Sequence, residues 1–310
     1  MSRKHHLLYP FLLCLGLISG GWLMGVAAQL PQKAQDEEPL RITTDLVLLN
    51  VTVTDASGNY AGGLKEDDFL LFDEGKPVHL EHFSTELTPF AAAILIDASG
   101  SMEGKLPRAR VAAAHFQDRT RPSDVVCMYS FNSKVECLQE FTPGRDVSPR
   151  LWNLEAEGMT KAYDCLEASL TELGKREEKR RAVVFISDGE DTQSRTSAKK
   201  VIQLALQTDA TVYSVDLIDP AKVALNPAQM QAVGFLKEIS EKSGGRYLKS
   251  PGGTQLDTKF EEIVNELRQQ YTLGFYAPEG QKAGQFRKLE VKLKRSGFTC
   301  RTRQGYVVTK

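Results

Sequence analysis

Three oxygen-bearing side chains stand at alternate positions in the stretch "ILIDASGSMEG": Asp97, Ser99 and Ser101. In an extended loop this spacing lets them converge on one side, which a helix would prevent. One carboxylate and two hydroxyls are hard donors, suited to a small divalent cation such as Mg2+. Alone, the same residues more often make a turn or a helix cap. The tetrapeptide Asp-Ala-Ser-Gly also occurs earlier, at 55–58 in "TVTDASGNYAG", where Asn59 takes the fifth position.

Two further segments bear on the first pattern. "VVFISDGEDT" puts Asp188 just past a buried strand, and "GMTKAYDC" puts Thr160 at the start of a helix. Simpler roles exist for each. Thr160 could cap its helix, Asp164 could complement the helix dipole, and Asp188 with Gly189 could only turn the chain. One cation site at a shared rim is more economical than three unrelated turns.

These residues need elements that bring them to one edge. "FAAAILI" and "RAVVFIS" are continuous apolar runs, as expected of strands buried on both faces of a parallel sheet. Helical spacing follows in "RARVAAAHFQD", "AYDCLEASLTELGK", "AKKVIQLALQ", "AVGFLKEISEKSGG" and "DTKFEEIVNELRQQ". Strands alternating with helices over about 180 residues indicate a doubly wound, mainly parallel α/β domain. Such sheets bind ligands at the carboxyl ends of their strands, where Asp97 and Asp188 fall.

The flanks read differently. "DLVLLNVTVTD" sets Val47, Leu49, Val51 and Val53 against Leu48, Asn50, Thr52 and Thr54, an alternation typical of antiparallel strands. "DFLLFDEGKPVHLEHF" continues with two short strands around Glu74–Pro77, and "KLEVKLK" alternates again near the C-terminus. Neither set is large enough to stand alone, so the two are expected to pair into one small β-sandwich. The first copy of Asp-Ala-Ser-Gly, after a half-buried strand and with no helix behind it, reads as a hairpin turn. The expected organisation is a signal peptide at 1–28, a linker at 29–41, sandwich strands at 42–88, the α/β domain at 89–270 and returning sandwich strands at 271–310.

Thirty-nine Lys and Arg balance forty Asp and Glu in 310 residues, with no basic block, so a nucleic-acid partner is not expected. The N-terminus has a short basic start, an apolar run from Leu7 and the small residues Val26, Ala27 and Ala28 before a cut after Ala28, the order of a secretory signal. Export to the periplasm or the extracellular space follows, with residues 7–28 as an uncleaved inner-membrane anchor the alternative. Cys127, Cys137, Cys165 and Cys300 are expected as free thiols. Cys127 and Cys137 are expected on opposite faces of a hairpin centred near Asn132.

Together, "DASGSM", "GMTKAYD" and "ISDGED" resemble the von Willebrand factor type A domains, with "DASGSM" fitting their D-x-S-x-S pattern. The resemblance spans roughly residues 90–270, and the flanks are similar to those of exported bacterial proteins related to this domain. It implies a Rossmann-like fold and a metal-ion-dependent adhesion site in which Asp97, Ser99, Ser101, Thr160 and Asp188 hold Mg2+, with Mn2+ or Ca2+ as alternative ions. A protein partner's Asp or Glu would complete the cation's shell.

The function expected is thus an exported, metal-dependent adhesion or assembly module, not an enzyme. The alternatives are a structural module with a vestigial metal site and, less favoured, a metal-dependent hydrolase. "ASGSM" lacks the G-x-S-x-G elbow of serine hydrolases, and neither a base nor a second metal position is visible.

Overall fold

The computed structural model describes residues 46–188, 190–218, 226–250 and 255–308. The expected signal peptide and linker lie outside these residues. No described helix is long and apolar enough to cross a membrane. The described residues all fall within one compact unit.

The N-terminal flank supplies β1 (Leu46–Asp55), β2 (Phe69–Asp73), β3 (Lys76–Val78) and β4 (His82–Ser84). It holds three strands after β1 where two were expected. Glu74 and Gly75, at φ 50° and 76°, close a tight hairpin between β2 and β3. The chain then continues into β4, which joins a different sheet.

The α/β part follows with β5 (Phe90–Asp97), α1 (Leu106–Asp118), β6 (Val125–Phe131), β7 (Val135–Pro143), α2 (Ala162–Gly174) and β8 (Arg180–Ser187). It ends with α3 (Ala198–Gln207), β9 (Ala210–Asp216), α4 (Pro227–Ser243), β10 (Tyr247–Lys249) and α5 (Leu256–Arg268). The sheet order is β10-β9-β8-β5-β6-β7, parallel except for β7. Every residue of β5 is buried, because helices cover both faces. Ala92, Ile94 and Ile96 pack with α1 and α5, while Ala91, Ala93 and Leu95 pack with α2, α3 and α4. Burying each large aliphatic side chain of this kind contributes about 1.5–3 kcal/mol. β5 is thus an inner strand of a two-faced core, and Asp97 sits at its end.

The last strands are β11 (Tyr271–Tyr276), β12 (Phe286–Leu293), β13 (Phe298–Arg301) and β14 (Gly305–Val307). They interleave with the N-terminal strands in two sheets, β13-β1-β11-β4 and β14-β12-β2-β3. Leu49 pairs with Leu273 and Leu71 with Val291. Val47, Leu49, Val51, Val53, Phe69, Leu71, Leu273, Phe275 and Leu289 share one core. The doubly wound α/β fold and the antiparallel sheets built from both flanks are therefore as the sequence predicts.

Burial departs from the simple alternation at Thr52, which is buried rather than exposed. Its hydroxyl donates to Glu266 of α5 at 3.3 Å, and Glu266 also accepts from Tyr213 at 2.8 Å and pairs with Arg301 at 2.7 Å. Arg180, fully buried, donates to the carbonyls of Leu267, Gln270 and Glu86. Thr52 of β1 thus meets α5 through the polar cluster around Glu266.

Among the described residues Cys127, Cys137, Cys165 and Cys300 are free thiols, as expected, with Cys127 and Cys165 buried and Cys137 and Cys300 only partly so. Cys127 and Cys137, however, share a face: both belong with the α2 side of the core. The loop 132–134 pairs Phe131 with Val135 and Tyr129 with Cys137, which puts Val135 and Cys137 on the same side as Cys127, Tyr129 and Phe131. A two-residue connection would have separated them.

Candidate functional site

The site begins where β5 ends. Asp97 is fully buried, and its Oδ1 accepts the Ser99 backbone N–H at 2.9 Å, an Asx turn that folds the loop back over the strand end. Met102, also fully buried, anchors the far side of that loop, and its N–H donates to the Ser99 carbonyl at 2.9 Å. The Ser99 and Ser101 hydroxyls lie 3.1 Å apart, and Ser101 donates to Asp188 Oδ1 at 2.9 Å. Asp188 follows β8, the parallel neighbour of β5, so sheet register carries it to the same edge.

Thr160 reaches this rim from a third segment. Glu157 N–H donates to the Ala98 carbonyl at 2.9 Å, and Gly100 N–H donates to the Gly158 carbonyl at 3.1 Å. Thr160 itself is buried and fixed through its backbone: its N–H donates to Thr192 Oγ1, and its carbonyl accepts from the Thr192 and Gln193 amides. The structure thus brings all five expected residues to one edge. Asp97, Ser99, Ser101 and Asp188 are joined by hydrogen bonds, while Thr160 is placed by its loop.

Two participants escaped sequence reasoning. Ser187 donates its hydroxyl to Asp97 Oδ2 at 2.6 Å, since β8 is aligned with β5 up to Ile186 beside Ile96. Its signal was its place just before Asp188, legible only once that register is known. Lys105, just ahead of α1, reaches Asp188 Oδ2 at 3.0 Å. Nothing in its spacing marked it.

Burial raises Asp97 from its ordinary 3.8 to about 7, and the charge of Asp188 adds to the rise. The hydrogen bonds from Ser187 and Ser99 oppose it. Two neighbouring carboxylates at a largely dry edge make a site that favours positive charge. Among the described residues no three or more His, Cys, Asp or Glu side chains gather as a metal cluster. This set has two carboxylates and takes its remaining donors from hydroxyls, an all-oxygen composition that fits Mg2+. Ser101, Gly158 and Met159 are exposed around it, so the edge is open to a macromolecular surface.

Residues 92–190, which hold all five, match the von Willebrand factor type A domain. Over that stretch, about a third of the chain, the sequence is that of a type A domain. Among solved structures, the chain is similar to a von Willebrand factor type A protein from Catenulispora acidiphila, at 14% identity over 86% of this chain and 74% of that one, with a TM-score of 0.49. It is also similar to the corresponding domain of the type V pili tip protein Mfa5 from Porphyromonas gingivalis, at 11% identity over 58% of this chain and 95% of that one, with a TM-score of 0.48. No curated protein matches the chain.

Proposed function

We propose that this type A domain is an exported, metal-ion-dependent protein-binding module whose site is Asp97, Ser99, Ser101, Thr160 and Asp188. The observation that carries the reading is the convergence of two carboxylates and two hydroxyls, from loops far apart in sequence, within one chain of hydrogen bonds of 2.9–3.1 Å. A bound Mg2+ would supply a Lewis-acidic position for a partner's Asp or Glu. Asp97 and Asp188 provide the negative charge that holds the cation, and Ser99, Ser101 and Thr160 provide neutral oxygens that leave part of its charge for the partner. Mn2+ and Ca2+ are alternative ions. Export rests on the N-terminal sequence alone, and the same segment would be the chain's membrane contact if uncleaved.

The reading assigns no catalysis. Ser99 and Ser101 direct their hydroxyls to each other and to Asp188, whereas a serine nucleophile needs an activating base. One observation favours the alternative of a structural module with a vestigial site: Lys105 already supplies Asp188 with a cation.

The test is capture of partners from an exported-protein fraction by the wild type and by Asp97→Ala, with Mg2+ and with chelator. The proposal expects capture that is lost on chelation and in the variant. Capture indifferent to both would overturn it.

A further inference from the structure

The four carboxylate oxygens of the site each have an internal donor, and only one of those donors carries a full charge. Asp97 accepts from the Ser99 amide and the Ser187 hydroxyl, and Asp188 Oδ1 accepts from the Ser101 hydroxyl. Asp188 Oδ2 receives the ammonium of Lys105 at 3.0 Å. The side chains of this ion pair are 19% and 9% exposed, so water screens it less than a surface pair.

The backbone of Lys105 is fixed. Its N–H donates to the Met102 carbonyl at 2.9 Å, and its own carbonyl accepts the Arg108 and Ala109 amides as α1 begins. Only the side chain is free to leave, and its partial exposure gives it a way out to solvent.

We infer that Lys105 is the resident counter-cation of the site, an internal competitor that holds the metal-free carboxylates together and sets how tightly a divalent cation is taken. The inference rests on the cation reading above and adds its regulation. The pair of carboxylates costs least when one positive charge lies beside it, and Lys105 provides that charge without metal. Entry of a divalent cation at Asp188 must then compete with the ammonium for Oδ2 and with Ser101 for Oδ1. Once released, Lys105 adds a positive charge at the rim, where an acidic partner would approach.

Two opposed effects separate this role from that of a merely structural lysine. Removing the charge makes the metal-free protein less stable, yet makes the cation bind more tightly. Coulomb attraction at these separations is large enough that Lys105→Met is expected to tighten Mn2+ binding by about tenfold or more. Lys105→Arg keeps the charge and is expected to stay near the wild type. Lys105→Gln keeps a donor for Asp188 while removing the charge, and gives a second variant with milder consequences for folding. Lys292→Met, on an exposed position of β12, controls for the change in net charge.

The experiment is a titration of the purified full chain with Mn2+, followed by displacement with Mg2+, alongside thermal unfolding in chelator. The inference expects a lower metal-free unfolding temperature and tighter Mn2+ binding in Lys105→Met and Lys105→Gln, but not in Lys105→Arg or Lys292→Met. If the wild type binds Mn2+ and the charge-removing variants bind it equally or more weakly, the inference fails and the cation reading stands. If neither the wild type nor these variants bind Mn2+ at millimolar concentration, both fail.

Discussion

The two copies of Asp-Ala-Ser-Gly begin with the same local bond and end with opposite electrostatics. In each, the aspartate Oδ1 accepts the backbone N–H two residues on, at 2.8 Å from Ser57 and 2.9 Å from Ser99. Asp55 also accepts the amide and side chain of Asn59, lies in water, and is held below the usual carboxylate range mainly by those Asn59 bonds. Asp97 is sealed at the end of an inner strand and is raised to about 7 by burial and the charge of Asp188. The tetrapeptide specifies an Asx turn in both places. What the turn is worth chemically depends on whether helices cover the strand before it and whether a second carboxylate reaches its edge.

The contrast can be broken first at the aspartates. With Mg2+ present, the wild type is expected to unfold at a higher temperature than in chelator. Asp97→Ala should abolish that difference, since direct ligands matter more than the supporting groups whose loss already costs about 10–100-fold in metal affinity. Asp55→Ala should keep it. Thermal unfolding monitored by circular dichroism decides, and an Asp97→Ala protein that still responds to Mg2+ would remove the distinction.

The supporting hydroxyls come next. Ser187→Ala deletes a bond to a buried carboxylate and should cost about 1.5–3 kcal/mol in urea unfolding. Ser57→Ala, at an exposed turn, should stay within about 0.5 kcal/mol of the wild type. Equal effects would mean that burial does not distinguish the two copies.

Acid titration sharpens the comparison. In the folded, metal-free protein Asp97 keeps its proton up to about 7, whereas the unfolded chain releases it near 3.8. The fold binds the extra proton between these values, so this group's effect is to make stability fall as pH rises through that window. Asp97→Asn should flatten that fall. Asp55 has the opposite sign: its lowered value adds stability above its unfolded titration and loses it on acidification. Denaturant midpoints collected in chelator across the range measure both. A wild-type curve that rises between about pH 5 and pH 7, and loses that rise in Asp97→Asn, would contradict the sign expected for Asp97.

The smallest differences lie in the glycines. Gly58 holds φ at 83°, so Gly58→Ala should cost about 1–2 kcal/mol through the backbone alone. Gly100 has no such φ, and an added Cβ would meet the Gly158 carbonyl at an ordinary 3.6 Å. Gly100→Ala should therefore cost less, and the reverse order would mean that the loop at 98–101 is tighter than its geometry indicates.

Much of this was legible because apolar runs report how many faces of a strand are covered. "FAAAILI" announced an inner strand and "DLVLLNVTVTD" a flanking one, which placed each Asp-Ala-Ser-Gly correctly. Register was the information that local pattern lacked. Ser187 reaches Asp97 only because β8 is aligned with β5, and Cys127 and Cys137 share a face only because their connection has an odd number of residues. Lys105 and Thr52 were unreadable for a related reason. A long or polar side chain at an element's edge finds its partner through tertiary placement, and Asp188 and Glu266 are 83 and 214 residues away.

The central claim is that the second copy, and not the first, holds a divalent cation. Equilibrium titration of Mn2+ into the metal-free wild type, Asp97→Ala and Asp55→Ala tests it directly. The account predicts one ion per chain, displaced by Mg2+, in the wild type and in Asp55→Ala, and none in Asp97→Ala. Binding that survives in Asp97→Ala, or that is missing from the wild type, would contradict it.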